Sequence, residues 1–504
     1  MEAVTALLLR SRYAVLALAA FALVALHAAH GQWLGDFWEH AAVVRELATY
    51  PLAPAHPILR TGAPHAFYSP YTLLLGCVSR LTGLSDISTL AVAGMANYWI
   101  LVLALRWFIG LLMPRLRESA PFYALLFLLL AWGPHPWYVS GFTHLGVLGY
   151  VLPYPSTFAT ALALLVFGAY VRYLQRGRWP WLAAVAAGAA VVGVTHPLSF
   201  ILLGGGLAAL CLGSPGARVS SLAALAGALA VALLLCALWP YYPFMKLMWS
   251  DASVYDPANR KMYEGALRRL FPALIGIVPA ALRLRKERRD PLALMLALLS
   301  LFYVWGWLSG RWTYGRSVAH VALTLHILLG WGAAEIETRI RWPRTPEPVR
   351  RLLFCGAVVA LALAWSFSEF VRPAVERARP GTPNTYRSFA FLSRHTGQYD
   401  VVLSDLLTSW TVPALGGKVV AWQHPLAFVP DDEQRRRDVQ RFLGDAATRG
   451  DRLAVIRKYR VAFLLLNKSE SPRWREVLDS LSPDVAARYE DAAFVLARIS
   501  TIQH

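Results

Sequence analysis

Apolar runs of about 20 residues, each closed by charged or turn-forming residues, recur from Arg12 to Phe370, and this pattern sets the first reading of the chain. A helix rises about 1.5 Å per residue, so such a run crosses a hydrocarbon core of about 30 Å. Eleven helices are expected, over approximately residues 13 to 30, 87 to 113, 121 to 139, 156 to 172, 180 to 195, 198 to 213, 219 to 239, 270 to 283, 291 to 309, 317 to 335 and 352 to 370. From about Val371 the pattern changes. Short β-rich runs, Asp400 to Ser404, Lys418 to Trp422 and Val461 to Asn467, alternate with helical patterns at Asp431 to Leu443 and Arg452 to Tyr459. Strands alternating with helices predict a small, mainly parallel α/β layer. Thr382 before Pro383 reads as the start of a helix running toward His395. The expected fold class is thus an α-helical polytopic membrane domain over 1–371 followed by a small α/β domain over 372–504.

Composition agrees with this pattern. Of 504 residues, 57% are hydrophobic and only 16% charged, with a mean hydropathy of +0.44, whereas soluble proteins carry roughly 25% charged residues. Arg10 and Arg12 precede an apolar stretch, Tyr13 to Ala29, that leads into no small-residue cleavage site, so it reads as a retained first helix. The net charge of +19 comes from arginines in short clusters between apolar runs, which is the pattern of cytoplasmic loops rather than of nucleic-acid binding. Cys77, Cys211, Cys236 and Cys355 lie in apolar stretches without metal or pairing spacing and read as small core residues.

With the N-terminus cytoplasmic, eleven crossings put every compact basic cluster inside: Arg115 and Arg117; Arg172, Arg176 and Arg178; Arg218; Arg283 to Arg289; Arg339, Arg341, Arg344, Arg350 and Arg351. The protein is then a multi-pass protein of the inner (plasma) membrane with its C-terminal domain extracytoplasmic. The stretch from Phe67 to Leu84 is apolar enough for a twelfth crossing, but counting it would expose the two largest basic clusters outside. It is short, opens with Tyr-Ser-Pro-Tyr and carries Arg80, and so reads as a juxtamembrane or re-entrant helix. A tilted span is the competing reading. Three outer loops follow, over about 31 to 86, 134 to 155 and 240 to 269.

The densest polar cluster beside the membrane is Gly35-Asp36-Phe37-Trp38-Glu39-His40. In a helix, Asp36, Glu39 and His40 stand at i, i+3 and i+4 and share one face, able to hold a base or a metal. The alternative is a helix end breaking into water with Trp33, Trp38 and Tyr50 as an interfacial belt. No GxGxxG or P-loop pattern occurs in the C-terminal domain, so a nucleotide site is not expected there.

An apolar first helix, then Asp36-Phe-Trp-Glu-His40, then Gly62-Ala-Pro-His-Ala-Phe-Tyr-Ser-Pro-Tyr-Thr-Leu-Leu-Leu-Gly76, resembles the GT-C superfamily of membrane glycosyltransferases. That superfamily includes protein O-mannosyltransferases, the aminoarabinose transferase of lipid A and oligosaccharyltransferase catalytic subunits. The resemblance covers the chain in architecture and, at residue level, about 31 to 76, 140 to 158 and 305 to 320. It implies transfer of a sugar from a polyprenyl-phosphate donor to a lipid, glycan or protein acceptor on the outer face, with inversion in a single displacement. It also implies that an acidic residue of the first outer loop acts as base or binds a metal, and Asp36 stands at the matching place, with Glu39 supporting it. A lipid phosphate is already a good leaving group, so one carboxylate and a few cations suffice for such chemistry.

For the phosphate, Arg311 and Arg316 flank the outer turn Gly310 to Arg316, where arginine departs from the positive-inside pattern and can clamp phosphate bidentately. Snorkelling to lipid headgroups is the alternative. His65 and Tyr68, His40 and, in the second outer loop, His144 are further substrate-binding candidates; His65 and Tyr68 could instead cap the juxtamembrane helix. His196 before Pro197 reads as a structural turn. The third outer loop, with Tyr241, Lys246, Asp251, Tyr255, Asp256 and Arg260, is long enough to order over a substrate. No Asp or Glu occurs from Trp132 to Pro155, where relatives carry an acidic residue, which weakens a metal-dependent mechanism. The sequence names no cofactor and leaves a divalent metal open. A transporter or flippase would show charged mid-helix residues and a repeat of broken spans, and neither stands out. A non-catalytic scaffold of the same shape is the third reading.

Overall fold

A computed structural model describes residues 2–214, 219–249, 256–343, 345–379 and 388–500. Arg218, Asp251, Tyr255, Arg344, Thr382 and Pro383 lie outside the described residues. The chain forms two compact units. One takes in Met1–His30, Val92–Trp239 and Phe244–Thr382; the other takes in Gly31–Ala91, Pro240–Pro243 and Pro383–His504.

The first unit is helical. Among the described residues seven helices are long and apolar enough to cross a membrane: Leu7–His30, Asp86–Leu112, Pro155–Arg176, Val219–Ala237, Pro291–Leu308, Trp312–Arg339 and Glu347–Arg377. In chain order, α1 is Glu2–His30, α2 Phe37–Thr49, α3 Pro70–Thr82, α4 Asp86–Leu112, α5 Ala120–Leu130, α6 Leu145–Val151, α7 Pro155–Arg176, α8 Trp179–Thr195, α9 Pro197–Gly213 and α10 Val219–Ala237. Three shorter apolar helices, α5, α8 and α9, complete ten of the eleven expected segments.

Two segments differ from the sequence reading. The helix expected over 121 to 139 stops at Leu130, because Gly133, Pro134 and Pro136 follow and proline can neither donate to nor continue the turn. The segment expected as one helix over 270 to 283 is broken into Phe271–Leu274 and Ile277–Lys286. Pro272 and Pro279 each remove a backbone donor. At the break Gly276 lies so close to the Val318–Arg339 helix that a Cβ there would stand 2.5 Å from the Leu325 carbonyl oxygen.

Close helix packing depends on small residues, as expected where apolar surroundings give no driving force for association. Gly330 of the Val318–Arg339 helix lies against Ala124 of α5, with 2.6 Å between a hypothetical Cβ and the Ala124 nitrogen. Toward the chain's basic clusters, Arg12 of α1 donates bidentately to Glu337 at 2.9 and 3.0 Å, and Arg351 reaches the same carboxylate at 3.2 Å. Three helices are thereby tied by one buried carboxylate; removing one partner of such a group typically costs about 3 to 5 kcal/mol.

The second unit holds a five-stranded sheet in the order β2-β1-β3-β5-β4. The expected runs form β1 (Val401–Leu403), β2 (Lys418–Val419) and β3 (Val461–Asn467), paired in parallel. β4 (Val485–Glu490) and β5 (Phe494–Ile499) add an antiparallel hairpin that the sequence reading did not contain. β4 is largely exposed and mixes small and charged residues, which left no apolar alternation to read. The expected helices are present as Asp432–Leu443 and Arg449–Tyr459, the latter with a Thr448/Asp451 capping box. They pack Val439, Phe442, Val455 and Ile456 into a core with Leu464 and Ala497.

The stretch Gly31–Ala91 that follows α1 belongs to this same unit. Its stretch 55–59 joins the free edge of β2: Val419 donates its N–H to the Ile58 carbonyl at 2.8 Å, and Leu59 bridges Val419 in parallel. The juxtamembrane segment expected over 67 to 84 is α3, opened by a Ser69/Thr72 capping box and Pro70 and closed by Gly83 at φ 72°. α2 and α3 meet closely, since a Cβ on Gly76 would lie 2.6 Å from that of Leu47. Tyr241, from the four-residue piece of the third loop in this unit, donates to the Pro51 carbonyl at 2.7 Å.

Candidate active site

Gly35, at φ 62°, turns the chain into α2 in a conformation that a side chain would resist. Asp36 is the N-cap residue, with its carbonyl accepting from the His40 N–H at 3.0 Å, but its side chain makes no capping hydrogen bond. The carboxylate is therefore not consumed in holding the helix, and the residue is half-buried. Trp33 and Trp38 are buried rather than forming an interfacial belt, Trp33 stacking on Phe37 at 4.3 Å; only Tyr50 of that group is exposed. Their burial locks the turn that presents Asp36.

Behind Asp36 lies a buried polar cluster. Glu39 is pushed up to about 8 by burial, reinforced by the Asp36 charge and partly offset by His424. His65 approaches it, Nε2 to Oε1 3.3 Å. The Nδ1 of His65 accepts the Phe67 N–H at 3.3 Å, which assigns the proton to Nε2 and makes His65 the donor to Glu39. Burial holds His65 down to about 3, with Lys418 adding to the effect, so the ring stays neutral. His56 packs edge-on against His65 at 4.9 Å and accepts two backbone N–H groups on Nδ1, from Ile58 at 3.2 Å and Leu59 at 3.0 Å. His40 is held down to about 4 by burial and stacks near Phe67. Asp36, Glu39 and His40 share one face, as their spacing predicts, and Asp36 acts on both of the others electrostatically.

Tyr68 is committed elsewhere, its hydroxyl donating to the Ala55 carbonyl. Among the described residues no group of three or more His, Cys, Asp or Glu is arranged to hold a metal ion.

In the first unit, the turn Trp312–Ser317 carries the arginine pair. Asp256 accepts from the Thr313 N–H at 2.6 Å and hydroxyl at 2.8 Å, which anchors the turn to the stretch that begins at Asp256. Arg316 donates Nε to Asn259 at 2.9 Å and Nη1 to Ser140, between α5 and α6, at 2.7 Å. Both hydrogen bonds orient the guanidinium. Arg311 is exposed at the start of the turn, and Arg260 lies over Trp312 at 5.8 Å. His144 is fully buried among Trp132, Tyr138 and Phe370, with Nε2 3.1 Å from the Trp137 carbonyl, which gives it a packing role. His196 caps α9, Nδ1 accepting from the Ser199 N–H.

Sequence reading missed His56, His424 and the pair Glu46–Lys418. Lys418 donates to Glu46 at 2.7 Å across 372 positions, a contact that no local spacing announces.

No protein-family model and no curated protein sequence matches the chain. Solved structures do. The chain is similar to the oligosaccharyltransferase of Archaeoglobus fulgidus, at 12% identity over 95% of this chain and 73% of that one, with a TM-score of 0.53. It is similar to ArnT of Cupriavidus metallidurans bound to undecaprenyl phosphate, at 13% identity over 96% and 97%, TM-score 0.55. It is also similar to the mycobacterial arabinofuranosyltransferase AftD, at 16% identity over 98% of this chain but 40% of that one, TM-score 0.59. All three are GT-C glycosyltransferases, and the polytopic membrane protein described here has the GT-C fold.

Proposed function

We propose that this protein is an integral-membrane glycosyltransferase that moves a sugar from a polyprenyl-phosphate donor to a lipid, glycan or protein acceptor. The observation that carries the reading is the Asp36 carboxylate, half-exposed at the start of α2 and free of any capping bond. Support for the donor class comes from neighbours of the same fold: ArnT is bound to undecaprenyl phosphate, and the Archaeoglobus oligosaccharyltransferase has been captured with dolichol-phosphate and an inhibitory peptide.

In the proposed reaction Asp36 takes the proton of the acceptor as its nucleophilic atom bonds to the anomeric carbon. The bond from that carbon to the phosphate oxygen breaks, and its electron pair leaves with the lipid phosphate. The transition state carries oxocarbenium character and the anomeric centre inverts. Glu39, protonated near neutral pH because water is excluded from it, adds no second negative charge beside Asp36 and so keeps the base available. Arg316 and Arg311 are assigned to the donor phosphate. His65 is assigned to positioning Glu39, and His40 to the same neutral wall.

Single-turnover transfer by purified protein in lipid tests this. Asp36→Asn preserves shape and removes the proton acceptor, so the rate should fall by about 10² to 10⁴. Glu39→Gln, which mimics a protonated carboxyl, should retain most of the rate. Wild-type turnover in Asp36→Asn at matched thermal stability would remove the catalytic assignment.

A further inference from the structure

The broken segment Phe271–Lys286 leaves a gap in the helical unit. Pro272 and Pro279 and the short turn at Gly276 bend the chain, and a cavity of about 830 Å³ lies between this segment, α5 and the Val318–Arg339 and Glu347–Ser366 helices. Its walls are apolar, with Phe127, Pro272, Trp331, Leu361 and Trp365 among them. Irregular backbone at membrane depth is tolerated where protein or an occupied cavity covers it. Water has no partners along such walls, so the occupant is apolar over most of its length.

One end of the groove is not apolar. Lys286, Glu335 and Arg339 line it. Arg339 is engaged by Glu335 at 2.6 Å, and the neighbouring Arg283 by Asp290 at 2.6 Å. Lys286 is held over the Trp331 ring at 5.4 Å and forms no ion pair with the described residues. It is an exposed cation at the mouth of an apolar trough, and both basic residues belong to the clusters that the positive-inside rule assigns to the cytoplasmic side. An apolar tail joined to an anionic head matches both parts, and basic pockets between membrane helices on that side are a recurrent form of lipid headgroup site.

We propose that this groove is a binding site for an anionic phospholipid, one acyl chain lying along Trp331, Leu361 and Trp365 and the phosphate meeting Lys286. The site is separate from the sugar-transfer reading and stands or falls without it. The lipid completes the bilayer-facing wall that the broken helix leaves open.

The test is native mass spectrometry of the full chain released from bilayers of equal phosphatidylglycerol and phosphatidylethanolamine. The wild type should retain phosphatidylglycerol in preference. Lys286→Ala, an exposed change away from any proposed catalytic residue, should cut that retention about fivefold and leave phosphatidylethanolamine unchanged, the effect expected for one lysine near an anionic headgroup. Ile336→Trp, on the groove wall, should lower retention of both. Equal retention of the two lipids by the wild type, or unchanged phosphatidylglycerol in Lys286→Ala, overturns the proposal. So does displacement of phosphatidylglycerol by added undecaprenyl phosphate, which would assign the groove to an isoprenoid tail instead.

Discussion

Glu39 and Glu46 stand two turns apart on α2, and both are buried, yet the chain treats them in opposite ways. Glu46 receives the Lys418 ammonium at 2.7 Å, the Gln398 amide at 3.1 Å, the Tyr399 hydroxyl at 3.1 Å and the Ala55 N–H at 3.1 Å. Every lone-pair direction of that carboxylate is used, by groups from three separate stretches of chain. Glu39 receives the neutral His65 and faces the Asp36 charge. Desolvation without a cation raises its proton affinity, whereas desolvation with a cation and a full set of donors stores a charge. One end of the helix is a staple between the stretch after α1 and the sheet, and the other is a site where a proton is held at neutral pH. The difference lies in the partners supplied by distant chain, since the two residues are the same amino acid on the same helix.

The largest effect should come from unbalancing the staple. Lys418→Met leaves Glu46 buried without its cation, and breaking a buried pair in this way costs about 3 to 5 kcal/mol. Thermal unfolding in detergent should show a large loss for Lys418→Met, with much of it restored in Lys418→Met/Glu46→Gln. A single variant as stable as wild type would mean that the pair does no structural work.

Arg316 extends the contrast to a cation oriented by hydrogen bonds to Asn259 and Ser140. A guanidinium oriented in this way presents a fixed set of donors that matches phosphate geometry. Arg316→Ala should weaken binding of a polyprenyl-phosphate sugar by about 1.5 to 3 kcal/mol, the range for hydrogen bonds to charged groups, while acceptor binding changes less. Asn259→Ala should reproduce part of the loss by letting the guanidinium move. Isothermal titration of donor against both variants decides it, and equal affinity across all three proteins would leave Arg316 a loop tie.

How much of this was legible in the sequence follows the range of the interactions. Most long helices of the first unit and the three parallel strands were legible because apolar period and turn residues are local properties. The face shared by Asp36, Glu39 and His40 follows from i, i+3, i+4 spacing alone. The break at Gly276 was not legible, because Pro272 and Pro279 sit in an otherwise apolar run and only the approach of Leu325 fixes where the chain bends. Nor could spacing separate Glu39 from Glu46. Their roles depend on His65, Lys418 and Tyr399, and the last two lie more than 350 positions away from Glu46. His65 was singled out as a substrate ligand, and its contact with Glu39 becomes visible only when α2 is set beside the stretch before α3.

The smallest effect is a slope rather than a loss. Glu39 titrates near 8 in the folded protein, against an ordinary value of 4.5. Between those values the folded state binds a proton that the unfolded chain has released, so this group's stabilisation is complete below 4.5 and disappears as pH rises through 8. His65, held near 3 against an ordinary 6.5, acts in the opposite direction and only below 6.5, where the unfolded chain takes up a proton that the buried ring refuses. The window from pH 6.5 to 8 therefore isolates Glu39 from its partner. Across it, the unfolding midpoint of the wild type should fall as pH rises, and the Glu39→Gln profile should be flatter. Parallel midpoint curves for the two proteins would show that Glu39 is already ionised at pH 6.5, and the distinction between the two ends of α2 would then rest on packing rather than on charge.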